Sequence, residues 1–214
     1  MARVLVFAKA PLAGRVKTRL CPALDGEAAA LLHRRMVLHT LNAACAAAPG
    51  RVELHCSPST DHPFFADCAA RHEVALARQI DGDIGARMAN ALRNASRENP
   101  LLLIGTDCPG RTTNDLLAAI RALESGHDAV LGPVEDGGYS LIGLARFEPA
   151  LFAGIAWSTD RVMTQTGARM TDLGFRWLNL PTLWDVDRPA DLPRLRALFP
   201  ALLDGIAIHA CAPD

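Results

Sequence analysis

The stretch Leu101-Leu102-Leu103-Ile104-Gly105-Thr106-Asp107-Cys108-Pro109 constrains the fold more than any other part of the chain. Branched apolar side chains in an unbroken row predict a strand buried on both faces, the condition of strands inside a parallel sheet. The run stops at a lone carboxylate and a proline. In an open parallel sheet, ligands collect where the strands end. A carboxylate placed there can hold a divalent cation over the crevice, and that cation can hold a phosphate. Downstream, Asp185-Val186-Asp187 supplies carboxylates able to complete such a site.

The rest of the chain alternates strand and helix signals. Residues 3–7, 52–56, 101–106, 129–131, 139–144 and 175–180 read as strands. Residues 27–48, 83–96, 114–123, 159–173 and 189–198 read as helices. The first of these helices is rich in Ala and Leu and is stopped by Pro49-Gly50; the last has proline in its first turn. This rhythm predicts an α/β fold: a three-layer α/β/α sandwich around a mainly parallel sheet. A chain of 214 residues that is 50% apolar is expected to form one domain, residues 1–214, around a large core. The segment after Pro200 reads either as an extra strand or as a frayed tail. There is no internal repeat, low-complexity segment or linker.

Composition removes several function classes. A formal net charge of -1 offers no basic field for nucleic acid. No apolar stretch reaches the ~20 residues needed to span a bilayer. Val4-Leu5-Val6-Phe7-Ala8 is too short for a signal-peptide core and runs into Lys9, so a cytoplasmic protein is expected. The cysteines (Cys21, Cys45, Cys56, Cys68, Cys108 and Cys211) form no CxxC pair and no Cys/His cluster with zinc spacing, so they read as reduced thiols. Cys108 beside Asp107 has no histidine near it in sequence to activate it as a nucleophile. The histidines are scattered and read as surface or core residues.

The segment Lys9-Ala10-Pro11-Leu12-Ala13-Gly14-Arg15-Val16-Lys17-Thr18-Arg19 follows the first strand directly, where α/β folds place nucleotides. Gly14 would let the backbone approach a phosphate, and Lys9, Lys17 and Arg19 would neutralise it, Arg as a planar fork and Lys as a point charge. The loop is neither a Walker A motif nor GxGxxG. Read alone, it is equally a solvated surface loop; its position after the first strand favours the nucleotide.

Two further segments carry candidates. In Gly132-Pro133-Val134-Glu135-Asp136-Gly137-Gly138-Tyr139, apolar strands flank an acidic Gly-Gly turn, which reads as a plain hairpin or as a substrate wall. As a wall, Gly137 and Gly138 would let a ligand lie against bare backbone, while Tyr139 would offer a hydroxyl or a stacking face. Asp187 reads as a metal ligand or as a cap of the helix near Pro189. Asp83 reads as a helix cap or a residue near the nucleotide. Trp157-Ser158-Thr159 reads as a cap beside a core Trp or as a substrate contact through Ser158.

Taken in order, five segments resemble one family. They are Lys9-Ala-Pro-x-x-Gly14-x-x-Lys17-Thr-Arg-Leu20, Gly82-Asp-x-Gly85-x-Arg-Met88, Gly105-x-Asp107-x-Pro109, Gly132-Pro-x-x-Asp136-Gly-Gly-Tyr-x-Leu-Ile-Gly143 and Trp184-Asp-Val-Asp187-x-Pro-x-Asp-Leu192. Together they resemble the bacterial GT-A-type glycosyltransferase-like family related to phospholactate guanylyltransferase, in the nucleotide-diphospho-sugar transferase superfamily. The resemblance runs from about Arg3 to Leu192. It departs from the family pattern at Ala13, Ala86 and Gly110-Arg111.

The resemblance implies a nucleotide-diphospho-sugar transferase fold. It also implies phosphate binding by Lys17 and Arg19, Mg²⁺ or Mn²⁺ on Asp107 and Asp187, and a second substrate facing Gly137-Gly138-Tyr139 and Ser158. The expected partners are a nucleotide or nucleotide sugar and a small-molecule acceptor. The expected activity is metal-dependent transfer from a nucleotide-activated substrate, glycosyltransferase-like, with nucleotidyl transfer to a small phosphorylated acid or sugar as the alternative. Asp107, Lys17 and Asp136 are the catalytic candidates, Asp136 as a base. A nucleotide-binding module without turnover is the reading from another class.

Overall fold

The computed structural model describes residues 2–95 and 100–209. Its strands are β1 (Arg3–Lys9), β2 (Val52–Ser57), β3 (Ala75–Arg78), β4 (Leu101–Ile104), β5 (Ala129–Pro133), β6 (Tyr139–Leu144) and β7 (Trp177–Asn179). They form a seven-stranded sheet in the order β3-β2-β1-β4-β6-β5-β7. Every pairing is parallel except those of β6, which runs antiparallel to both β4 and β5. The reversal follows from the short turn 134–138, because a crossover to a parallel neighbour needs a dozen or more residues.

The helices are α1 (Gly26–Ala47), α2 (Pro63–His72), α3 (Ile84–Ala95), α4 (Thr113–Glu124), α5 (Val162–Asp172) and α6 (Leu192–Leu198). Alternate residues of a strand point to opposite faces, and β1 and β4 feed two cores accordingly. Val4, Val6, Leu102 and Ile104 pack with Val37 and Leu41 of α1, Phe64 and Phe65 of α2, and Leu116 of α4. Leu5, Leu101 and Leu103 pack with Met88 and Leu92 of α3 and Met170 of α5. The expected strand buried on both faces is present, and the architecture is the three-layer α/β sandwich.

α2 and β3 carried no assignment in the sequence, and several element ends move. α3 starts at Ile84 because Asp83 accepts from the Ala86 N–H at 2.7 Å; position 96, given to this helix from sequence, lies outside the described residues. α5 starts at Val162 because 159–161 form a turn. The segment after Pro200 is neither strand nor frayed tail up to position 209. It makes a 3-10 turn at Pro200–Leu203 and buries Leu202, Leu203 and Ile206. These join Leu20, Leu24, Met36, Trp184, Val186, Leu192 and Leu195 in a third apolar cluster, which binds the basic N-terminal loop to the acidic segment 185–187. Among the described residues no helix is long and apolar enough to cross a membrane.

The cysteines within the described residues are free thiols; Cys211 lies outside them. Burial pushes the Cys56 thiol up to about 12 and that of Cys68 up to about 11, and only the thiolate is nucleophilic. Iodoacetamide on the folded protein is therefore expected to label exposed Cys21 well before Cys56 and Cys68. Peptide mapping against time checks this; equal labelling rates would contradict the packing.

Candidate functional site

The site forms where β1 and β4 end, side by side in the middle of the sheet. After β1 the chain turns through Gly14, at φ +69°, and enters a 3-10 turn, Thr18–Leu20, pinned by fully buried Leu20. Lys17, at the head of that turn, is held in the left-handed region at φ 50°, which few non-glycine residues adopt without a surrounding constraint. The constraint is its own ammonium. The Lys17 side chain is only 5% exposed, and its Nζ lies 2.5 Å from Asp107 Oδ1 while donating to the Val186 carbonyl. The Val186 N–H in turn donates to the Asp107 carbonyl at 2.8 Å.

Arg19 Nη1 lies 2.7 Å from Asp187 Oδ2. Two acids eighty positions apart thus stand beside the same basic loop, each paired with one of its cations. Asp107, Asp187, Lys17 and Arg19 all line one cavity of about 360 Å³.

Electrostatics divides the cleft. The 360 Å³ cavity presents Lys9, Arg15, Lys17, Arg19 and Arg87 against Asp107 and Asp187. A wider cavity of about 780 Å³ presents Glu135, Asp136, Asp160, Asp185, Asp187 and Asp191 against Arg19 and Arg188. A third, of about 230 Å³, shares Asp107 with the cationic end and Asp136 and Asp185 with the acidic end. The Asp107 carboxylate is 58% exposed yet crowded by protein. Burial alone would raise it, but the charge and hydrogen bond of Lys17 hold it below the usual carboxylate range. Asp185 goes the other way: burial, then repulsion from Asp136 and Asp187, pushes its carboxyl up to about 6.

This crowding of like charge is what a divalent cation would relieve. Asp107, Asp185 and Asp187 offer the hard oxygens that Mg²⁺ and Mn²⁺ prefer, so the residues present fit such an ion. Among the described residues no three acidic, histidine or cysteine side chains are already drawn together as a ligand set. Lys17 and Arg19 hold two of the carboxylates in ion pairs.

The other sequence candidates divide. Lys9, Asp136, Gly138, Tyr139 and Ser158 line the cleft. Ser158 is exposed at the acidic end with φ 63°, so two of the non-glycine residues with positive φ, Lys17 and Ser158, are cleft residues. Gly14 does not line the cleft, and no atom lies within 4 Å of where its Cβ would stand; the glycine serves the turn. Asp83 is spent on capping α3 and also stays outside the cleft.

Gly137 does not present bare backbone to a ligand. At φ +86°, its missing Cβ would stand 2.2 Å from the Asp160 carbonyl oxygen, so this glycine exists to let the 157–161 loop dock. The Tyr139 hydroxyl is likewise withdrawn. It is buried next to the equally buried Thr166 hydroxyl, so the ring is what faces the cleft. The ring stands edge-on to Trp157, which stacks on Phe152.

Arg87 and Trp157 are among the cleft residues for which the sequence suggests no binding role. Arg87 follows Asp83 by one helical turn and so shares its face. Trp157 packs where Gly85 has no side chain: a Cβ there would lie 2.0 Å from the indole nitrogen.

Residues 40–159 match the model of a bacterial family described as an uncharacterized protein conserved in bacteria, DUF2064. The chain belongs to this family. Its structure is also similar to a provisionally assigned nucleotide-diphospho-sugar transferase from Desulfovibrio desulfuricans G20, with 30% identity, a TM-score of 0.81, and 95% of this chain and 94% of that one covered. A nucleotidyl transferase from Methanothermobacter thermautotroptrophicus shares the fold at 15% identity and a TM-score of 0.59, covering 94% and 98% of the two chains. So does glucosyl-3-phosphoglycerate synthase from Mycobacterium tuberculosis, solved with Mn²⁺, uridine diphosphate and glucosyl-3-phosphoglycerate. It has 13% identity and a TM-score of 0.55, covering 99% and 81%. No curated protein matches the chain in sequence. The family's fold is thus that of nucleotide-utilising transferases.

Proposed function

We propose that the chain is a single-domain, cytoplasmic, metal-dependent transferase that takes a nucleotide sugar as donor and passes the glycosyl group to a small neutral acceptor. The observation that carries this reading is the polarised cleft: a cationic end sized for phosphates joins a wider acidic end at Asp107. Lys9, Lys17, Arg19 and Arg87 bind and orient the diphosphate, Lys17 and Arg19 acting as electrostatic clamps on the leaving oxygen. Asp107, Asp185 and Asp187 would hold a divalent cation, which would supply further neutralisation of that diphosphate.

At the acidic end an acceptor hydroxyl is positioned between the Trp157 wall and Ser158. Its oxygen attacks the anomeric carbon, the sugar–phosphate bond breaks, and the nucleoside diphosphate leaves with the electron pair. Asp136 takes the hydroxyl proton. Its carboxylate is oriented by accepting from the Gly138 N–H at 2.8 Å.

A second reading rests on Thr106-Asp107, a single acid where glycosyl transfer on this fold commonly uses Asp-x-Asp. Under it, attack falls on the α-phosphorus and pyrophosphate leaves. The excess of acids in the wider cavity opposes an anionic phosphorylated acceptor and so favours the glycosyl reading.

A thermal-shift screen of nucleoside triphosphates and nucleotide sugars, with and without Mn²⁺, tests the core of the proposal. Mn²⁺-dependent stabilisation by nucleotide sugars supports it, and no stabilisation by any nucleotide sinks it. Assays for released diphosphate or pyrophosphate then separate the two reactions, and binding without release of either would leave a binding module. Lys17→Ala is expected to weaken nucleotide affinity by roughly 1–3 kcal/mol, the worth of a charge-assisted contact and the desolvation left behind. Unchanged affinity in calorimetric titration removes the loop from the site.

A further inference from the structure

Arg111 is a buried cation, 6% exposed, whose hydrogen-bond acceptors are all neutral. Nε and Nη2 reach Ser140 Oγ at 3.4 and 3.2 Å, Nη1 reaches the Pro181 carbonyl at 3.3 Å, and Nη2 reaches the Pro133 carbonyl at 3.4 Å. A guanidinium withdrawn from water without a counter-ion is an expensive way to fill space. The fold nevertheless makes room for it: Gly132 lacks a side chain where a Cβ would lie 2.9 Å from Nη2 and 3.0 Å from Cζ.

The positions of its acceptors are informative. Arg111 sits in the loop that carries Asp107. Pro133 opens the turn that carries Asp136, and Pro181 begins the segment that leads to Asp185 and Asp187. We propose that Arg111 is a positioning residue, a buried fork that fixes the relative placement of these three acid-bearing segments and thereby sets the geometry in which they hold a divalent cation. The inference rests on the metal-dependent reading above and adds a residue that touches neither nucleotide nor cation. Only a planar group with donors diverging in several directions can bridge a hydroxyl and two carbonyls from separate segments. Backbone bonds supply a partial frame, with Leu183 donating to Pro133 at 3.1 Å and Glu135 to Leu183 at 2.9 Å. Arg111 ties that frame to the Asp107 loop.

The test compares the wild-type chain with Arg111→Met and Arg111→Lys. It reads Mn²⁺ affinity by electron paramagnetic resonance titration, and melting temperature separately. Arg111→Met is expected to bind Mn²⁺ roughly 10–100-fold more weakly, the range seen when support behind metal ligands is removed. Arg111→Lys, with the charge but not the fork, is expected to regain melting temperature without regaining affinity. A folded Arg111→Met with wild-type Mn²⁺ affinity, or full recovery of affinity by Arg111→Lys, overturns the inference. If Arg111→Met does not fold, Arg111→Lys decides: weakened Mn²⁺ binding in that folded variant supports the role, and wild-type binding overturns it. A wild type that binds no Mn²⁺ sinks the metal reading itself, whereas wild-type binding unaltered in the variants sinks only the role of Arg111.

Discussion

Asp107→Asn is expected to abolish the Mn²⁺-dependent part of nucleotide binding while leaving a weaker, metal-independent part. Asparagine keeps the shape and one oxygen but loses the charge that a hard divalent cation requires. The loss should exceed the roughly 10–100-fold typical of disturbing a group behind a metal ligand, because here the ligand itself is neutralised. Lys17, Arg19 and Arg87 remain to attract phosphate, which is why some binding survives. The variant is not free of a stability effect, because the Lys17 ammonium it leaves behind is 5% exposed. Asn Oδ1 still accepts from that ammonium, and the native carboxylate is 58% exposed and screened. A loss of about 1 kcal/mol is therefore expected. Calorimetric titration with and without Mn²⁺, beside denaturant melts, measures both. Equal Mn²⁺ dependence in wild type and variant would falsify the assignment of Asp107 as a ligand.

Gly137→Ala is expected to be among the most damaging single-methyl additions to this chain. The residue stands at φ +86°, and its new Cβ would meet the Asp160 backbone, with the carbonyl oxygen at 2.2 Å and Cα at 2.7 Å. Neither strand of this contact yields easily. The Gly137 carbonyl accepts from the Met163 N–H at 2.8 Å, locking the turn to the first residues of α5. Left-handed strain on alanine and overpacking against backbone together suggest a loss of roughly 2–5 kcal/mol. Urea unfolding measures it, and a loss under about 1 kcal/mol would show that the loop relaxes freely. Because the same loop carries Ser158 and Asp160 into the acidic end, acceptor affinity should fall in whatever fraction remains folded.

What could be read from sequence here follows a physical division. The run 101–104 announced its burial because four apolar side chains in a row have nowhere else to go, and all four are buried. The basic loop and the acids at 107 and 187 were legible as charges standing at element ends. β3 was not legible: it has four residues, none buried, so it offers neither an apolar run nor a clean alternation. α2 lacked a usual start signal, since its cap is His62, whose side chain accepts from the Phe64 N–H, where Ser, Thr, Asp or Asn is usual. At the site, misreadings arose wherever a residue's role depends on a partner distant in sequence. Gly137 looked like open backbone because nothing in the sequence says that Asp160 fills the space. Tyr139 looked like a donor because its burial comes from packing against α5 and Trp157. Arg111 looked like a departure from a family pattern, since the carbonyls it bridges are twenty-two and seventy positions away.

The two ion pairs at the cleft, Lys17 with Asp107 and Arg19 with Asp187, carry a last consequence. Each is an internal truce between a group suited to phosphate and a group suited to a cation. An anion arriving alone would strand two carboxylates, and a metal arriving alone would strand two cations, one of them deeply buried. On the proposed metal-dependent reading, each charge would change partner when both arrive, and each guest would strengthen the hold on the other through the same free-energy coupling.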